Sequence, residues 1–394
     1  MSKSIIACTT LILAFNLVNP SFAELPPDIQ KNPSAPEKIK GIYISGWTAG
    51  SNKKFSRLLE LIDETELNAV VIDIKDAEGL VTYRSKVPWT KSKGTRSYAV
   101  KDISLLLGRL KARNIYPIAR VVCFRDPLLS QAYPDIALKS KEGELWKDRA
   151  GVSWLNPYNK EGWKHLLDLS KEAASLGFKE IQYDYVRFPT DGDIKNIDYG
   201  ERATISGRSK AISDFLAYAK TELKPLGVAV SADLFGIVAT DVRGGRYIGQ
   251  DMVKMAREVD YVSPMIYPSH YANIRQNGTG QLINDVLFKY PDLEPYSVVY
   301  NSLAVAQKRL KSSKASGRLR PWLQAFTASY LGEDRYQPYH GKQIKEQIKA
   351  VSDAGIDEWM LWNANNRYPN DGLLRDQGDE ELLRPEELTK YLIE

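Results

Sequence analysis

Gly177-Phe178-Lys179-Glu180-Ile181-Gln182-Tyr183-Asp184-Tyr185-Val186-Arg187-Phe188-Pro189 decides the reading of the chain. A glycine closes a helix, and a short run rich in Ile, Tyr and Val then predicts a strand over 180–188. Seven more runs of this kind occur, at 41–49, 69–75, 115–124, 228–235, 261–267, 319–326 and 358–363. Each is followed by a helical pattern. Short apolar strands separated by helices imply a parallel sheet covered on both faces. Eight such units point to an α/β fold, a single-domain (β/α)8 TIM barrel over residues 40–367.

The intervening segments support the count. Residues 52–66 carry Phe55, Leu58, Leu59 and Ile62 at helical spacing, and 101–113 do the same with Ile103, Leu106, Leu107 and Leu110. Gly355 closes the helix before the eighth strand, as Gly177 does before the fourth. An open doubly wound sheet is the alternative, but no Gly-x-Gly-x-x-Gly follows the first strand.

Outside the barrel the chain changes character. Residues 1–23 read as a secretory signal peptide, with Lys3, an apolar run over 5–18, and Ser21-Phe22-Ala23 as cleavage site. The run is short for a membrane span, so no transmembrane segment is expected after cleavage, and the expected location is secreted or periplasmic, in the cell envelope. Pro26, Pro27, Pro33 and Pro36 make 24–39 an extended linker. Residues 368–394 form a polar cap or tail. With Cys8 in the leader, Cys123 alone remains, so no intramolecular disulfide is expected. Of the 394 residues, 43% are hydrophobic and 26% charged, which excludes a disordered, collagen-like or multi-span chain. The net charge of +5 is small and spread out, so no nucleic-acid partner is expected. Eight Trp and 22 Tyr suit ligand grooves, sugars included.

In such a barrel the chemistry sits at the C-terminal ends of the strands, and alternation tells which side chains face in. Val70, Ile72 and Ile74 face the helices, so Asp73 and Lys75 face inward. Gln182 shares a face with Asp184, and Ser231 with Asp233. The last strands offer Trp322, Gln324, Trp362 and Asn363. Asp184 and Asp233 stand on neighbouring strands, the arrangement glycoside hydrolysis needs: one carboxylate attacks or stabilises an oxocarbenium-like centre, and one carboxylic acid protonates the leaving oxygen. Asp184 is the expected nucleophile or base. Asp233 is the expected general acid, which requires a raised pKa from burial near Asp184. Lys75 and Arg187 are expected to supply the positive charge beside Asp184. Tyr267, His270, Asp73, Asp76 and Trp362 are expected to bind hydroxyls or stack on a sugar ring, with Gln324 and Asn363 beside them. The bland alternative is an internal ion-pair layer, with Lys75 and Arg120 neutralising Asp73 and Asp184.

Taken together, Gly41-Ile42-Tyr43-Ile44-Ser45-Gly46-Trp47, Ile72-Asp73-Ile74-Lys75-Asp76, 182–189, 264–271, Pro321-Trp322-Leu323-Gln324 and Trp362-Asn363-Ala364 resemble the "putative glycosyl hydrolase domain" family. The resemblance covers nearly all of residues 40–367 and implies a glycosidase-like barrel. Asp184 is similar in place to the nucleophilic Asp that ends the fourth strand in the α-amylase and α-galactosidase clans. The acid that the α-amylase clan carries as Glu at the end of the fifth strand is here Asp233.

The expected function is therefore a glycoside hydrolase-like enzyme acting on a polysaccharide or oligosaccharide. A metal site needs several His ligands, and of His165, His270 and His340 only His270 stands at a mouth, so no metal is expected. Nor is a cofactor. A Schiff-base Lys is disfavoured because Asp73 and Asp76 flank Lys75. The rival reading is a non-catalytic carbohydrate-binding barrel of the cell envelope, with Trp47, Trp89, Trp146, Trp154, Tyr267 and Trp362 as its sugar platform.

Overall fold

The computed structural model describes residues 38–91, 94–200, 204–241, 243–272 and 278–373. The expected leader, most of the expected linker and the tail from 374 onward lie outside the described residues. Eight strands form one closed ring: β1 (Lys40–Ile44), β2 (Ala69–Lys75), β3 (Tyr116–Val122), β4 (Glu180–Asp184), β5 (Ala229–Phe235), β6 (Tyr261–Ile266), β7 (in two pieces, Arg318–Leu319 and Trp322–Gln324) and β8 (Trp359–Trp362). Each pairs in parallel with the next, and β1 pairs with both β2 and β8, which closes the barrel. Seven long crossings supply the outer layer: α1 (Asn52–Glu64), α2 (Ile103–Lys111), α3 (Lys160–Leu176), α4 (Ile205–Leu223), α5 (Met252–Glu258), α6 (Pro295–Ser313) and α7 (Gly341–Asp353). The single-domain (β/α)8 TIM barrel is therefore the fold.

Local chemistry explains the elements. In α1, Phe55, Leu58, Leu59 and Ile62 turn one apolar stripe onto the barrel. The side chain of Asn159 caps α3 by accepting from Glu161 N, and Gly177 ends it at φ 117°, a left-handed conformation glycine adopts without a Cβ penalty. Along β2, Val70, Ile72 and Ile74 join the outer cluster with the helices, whereas Ala69 and Val71 face inward with Tyr43, Ile118, Trp322 and Met360.

Three sequence runs are cut or broken by an identifiable residue. The 41–49 run leaves the sheet after Ile44, where the Ser45 hydroxyl accepts from Thr48 N and starts the turn Gly46–Ala49. The 180–188 run stops at Asp184, because Tyr185 adopts φ 49° and throws the chain out of the sheet. The 319–326 run is interrupted at Arg320-Pro321, since proline has no N–H for the ladder.

The barrel interior carries charge at both ends. At the N-terminal end, Arg320 bonds Glu180 Oε1, which also accepts from the Ser231 hydroxyl at 2.5 Å. Arg320 lies 3.9 Å over the Tyr261 ring, and Arg318 pairs with Glu358 at 3.3 Å. Arg320 and Glu180 are sealed from solvent, and Arg320 is among the largest fully buried side chains. Here cations and carboxylates match one for one.

Candidate active site

At the C-terminal end the balance differs. Asp73, Arg120, Asp184 and Asp233 point into the barrel from β2 to β5, three carboxylates with one guanidinium. Arg120 Nη1 bonds Asp73 Oδ1 at 2.5 Å, and its Nε and Nη2 bond Asp184 Oδ2 at 3.1 and 2.5 Å. The other oxygens are bound as well. Tyr43 donates to Asp73 Oδ2 at 2.5 Å, and Tyr185 N donates to Asp184 Oδ1 at 2.5 Å. Arg120 also sits 5.1 Å over the ring of Trp362, which stacks on Tyr43 at 3.9 Å. Burial opposes the Arg120 charge, but Asp73 and Asp184 more than offset it and raise its pKa.

Asp233 lies beside Asp184. The β4–β5 register pairs Gln182 with Ser231 and Tyr183 with Ala232, so the next level sets the two acids side by side, on strands spaced about 4.8 Å apart. Asp233 is 1% exposed, and its Oδ1 accepts from Trp322 Nε1 at 2.8 Å. Burial, then the charge of Asp184, push the Asp233 carboxyl well above the usual carboxylate range, against the pull of Arg120 and Trp322. Asp73 is also raised by burial, with Arg120 opposing. One of two neighbouring acids is thus ion-paired, and the other is built to keep its proton. That division of labour is what an acid-assisted displacement at a glycosidic carbon uses.

Tyr185 adds strain at the same point. A tyrosine at φ 49° costs about 1–2 kcal/mol. Its ring is held between Arg125 and Arg187, at 5.8 and 5.0 Å. The Asp184 carboxylate sits on the amide of this strained residue, and such outliers concentrate at functional sites.

The remaining expected residues divide. Trp362 flanks the acid layer through Tyr43 and Arg120. Tyr267 is buried in the inner cluster, 4.9 Å from the ring of the exposed His270. Lys75 does not supply charge to Asp184. The β2–β3 register shifts between Asp73 and Lys75, setting Lys75 opposite Val121 of the outer cluster, and its ammonium pairs with Asp126 at 2.9 Å and donates to Val122 O. Arg187 is not ion-paired to Asp184 either. Its guanidinium stacks on Trp154, Tyr185 and Phe235 and donates to Phe188 O at 3.0 Å. Asp76 turns back to accept from Glu78 N and Leu80 N, tightening its own loop. Gln324 is fully buried and ties Ser269 to Asp292, and Asn363 holds Ala325 O and Arg367 O. These two therefore shape loops at the rim. Of the expected aromatic platform, Trp146 and Trp154 are buried with their indole N–H groups on Asp193 O and Asp148, and Trp89 packs on Tyr133. Trp47 alone of the set is well exposed, at 59%.

Tyr43 and Trp322 complete the site without having been assigned a role in it. The signal was the same alternation: Tyr43 shares a face with Gly41, and Trp322 with Gln324. A pocket of about 420 Å³ opens beside the mouth, lined by Phe235, Met265, Ser269, His270, Tyr271 and Tyr330 among others. A larger groove of about 920 Å³ lies outside the barrel along α7, and none of the inner acids lines it. Four of its five lysines are paired to acids, such as Lys40 to Glu66 and Lys349 to Asp353, so the inner layer is the better site.

The closed ring of eight parallel strands defines the class, a TIM barrel. The chain belongs to the family described as "Putative glycosyl hydrolase domain", which matches residues 41–368. A hypothetical protein from Ruminiclostridium thermocellum ATCC 27405 is 38% identical, over 52% of this chain and 98% of that one, with a TM-score of 0.45. The PgaB (BpsB) glycoside hydrolase domain from Bordetella bronchiseptica is similar in fold, at 12% identity and a TM-score of 0.58, over 83% and 94% of the two chains. A beta-galactosidase from the psychrophilic Marinomonas ef1 has 12% identity and a TM-score of 0.55, over 82% of this chain and 54% of that one. No curated protein matches the chain. Among the described residues, no helix is long and apolar enough to cross a membrane.

Proposed function

We propose that the barrel cleaves glycosidic bonds in a polysaccharide, with Asp184 as nucleophile or base and Asp233 as general acid. Asp233 gives its proton to the glycosidic oxygen as that bond breaks. Either Asp184 bonds to the anomeric carbon, and water then cleaves that ester as its proton passes to Asp233, or Asp184 takes a proton from the water that attacks, and exchange with solvent returns that proton and restores the one on Asp233. The observation that carries the reading is the asymmetry of the pair: Arg120 holds Asp184 by two hydrogen bonds, while Asp233 is buried beside that charge with a single donor, Trp322. Trp362, His270 and Trp47 are the side chains offered to sugar rings and hydroxyls around the mouth. The working place proposed is outside the cytoplasm, on the strength of the leader-like residues 1–23; N-terminal sequencing of exported protein beginning at Glu24 tests this.

Reducing-end release from a panel of polysaccharides tests the chemistry. Wild type releases sugar, and Asp184→Asn and Asp233→Asn each lower the rate by about 10²–10⁴-fold. Equal rates for wild type and both variants contradict the assignment.

One observation favours a second reading, a carbohydrate-binding barrel without turnover. Both Asp184 oxygens already accept hydrogen bonds, from Arg120 and from Tyr185 N. In that case wild type binds glycans, releases nothing, and both Asn variants bind unchanged.

A further inference from the structure

Arg187 is a buried cation without an acid partner. It is 7% exposed, and no carboxylate lies within ion-pair distance among the described residues. Its Nη1 donates to Phe188 O, and nothing accepts from its Nε or Nη2. Those two atoms are not sealed in, unlike Nε and Nη1 of Arg320 at the other end of the barrel. Three rings, of Trp154, Tyr185 and Phe235, hold the guanidinium at 4.8–5.0 Å. Stacking fixes the plane and leaves an edge free, and that edge matches two oxygens of an anion. Burial works against the Arg187 charge and makes an incoming negative group more welcome.

The nearby acids, Asp184 and Asp191, favour the Arg187 charge without pairing to it. Both Asp184 oxygens are taken up by Arg120 and Tyr185 N, and Asp191 accepts from Arg149 N at 3.2 Å. A second guanidinium stands on the same Tyr185 ring. Arg125 bonds Ala77 O, hydrogen-bonds the exposed Glu78 at 3.5 Å and lies 4.0 Å from Asp148. The β3–β4 rim thus carries one guanidinium without an ion pair, Arg187, and a second, Arg125, paired to Glu78 and Asp148. Phe235, one wall of the Arg187 cage, also lines the 420 Å³ pocket at the mouth.

We infer that the saccharide recognised at this mouth carries an anionic substituent, a carboxylate or a sulfate, which Arg187 binds through Nε and Nη2 next to Asp184. The inference rests on the carbohydrate reading above and deepens it to acidic glycans. It needs no turnover, so binding measures it separately from hydrolysis.

The experiment is calorimetric titration of the full chain with three oligosaccharide series of equal length: uronate-containing, carboxyl-reduced neutral and sulfated. Wild type is expected to bind an acidic series at least about tenfold more tightly than the neutral one, a ratio that shrinks as salt is added. Preference for the uronate or the sulfated series tells which anion is the ligand. Arg187→Gln is expected to bring the acidic-to-neutral ratio to about one, and Arg187→Lys, which keeps the charge without the fork, to lower it partway. A ratio near one in wild type overturns the proposal, as does an undiminished ratio in Arg187→Gln, because a merely structural arginine would weaken both series alike. Should Arg187→Gln not fold, the wild-type ratio and its salt dependence decide. Binding of acidic glycans without sugar release would leave this inference standing and remove the hydrolytic one.

Discussion

The two ends of the barrel solve the same problem in opposite ways. Both bury arginine against carboxylate. At the N-terminal end, Arg320 and Glu180 neutralise each other, Ser231 fills a further lone pair, and Tyr261 covers the guanidinium. At the C-terminal end, Arg120 serves Asp73 and Asp184 together and leaves Asp233 to deal with burial by holding its proton. A balanced layer contributes to stability, whereas in the proposed reading an acid-rich layer stores a transferable proton. That matches the general division of a TIM barrel into a stabilising bottom face and a reactive top face.

The comparison breaks most visibly if charge is removed below. Glu180→Gln leaves Arg320 buried and unpaired, so chemical denaturation should show a loss of about 3–5 kcal/mol; a neutral result would mean that water reaches the lower layer. Above, Asp184→Asn should act on rate more than on fold, with glycan cleavage down about 10²–10⁴-fold while the circular dichroism spectrum is retained.

Asp233→Asn separates the layers by pH. Burial raises the Asp233 pKa in the folded chain above its unfolded value of about 3.9. Its stabilising contribution is complete below that unfolded value and is lost as pH rises through the folded one. Asn does not titrate, so the variant should gain stability relative to wild type by about 1.4 kcal/mol for each pH unit between the unfolded and the folded pKa of Asp233, and the difference should level off above the folded one. A constant difference across pH 4–9 would mean that Asp233 does not keep its proton. The smallest effect is expected from Trp322→Phe. Removing the indole donor takes away a hydrogen bond that lowers the Asp233 pKa, so the alkaline limb of the rate profile should move up by about 0.7 pH unit, the equivalent of roughly 1 kcal/mol.

Much of this was legible in the sequence, and the exceptions share a cause. Alternation found the inward face wherever the strand was regular, so Asp73, Asp184 and Asp233 were placed together in advance. It failed where the strand ended or bulged. Lys75 lies past the register shift after Asp73 and pairs with Asp126 in the outer layer. Arg187 lies past the left-handed Tyr185, where no parity rule extends. Gln324 and Asn363 are engaged by loop atoms that arrive from far along the chain or fold back locally, which a periodic pattern does not encode. Arg120 was visible as a counterion, and its sharing between two acids became apparent only with the ring closed.

The most direct test of the unequal acids compares leaving groups. A nitrophenyl glycoside departs without help from an acid, whereas a natural glycan needs a proton. Asp233→Asn should therefore keep most of its cleavage of the nitrophenyl glycoside while losing that of the glycan, and Asp184→Asn should lose both. Equal loss on the two substrates in Asp233→Asn, or unimpaired cleavage in Asp184→Asn, would contradict the assignment of proton donor and ion-paired partner.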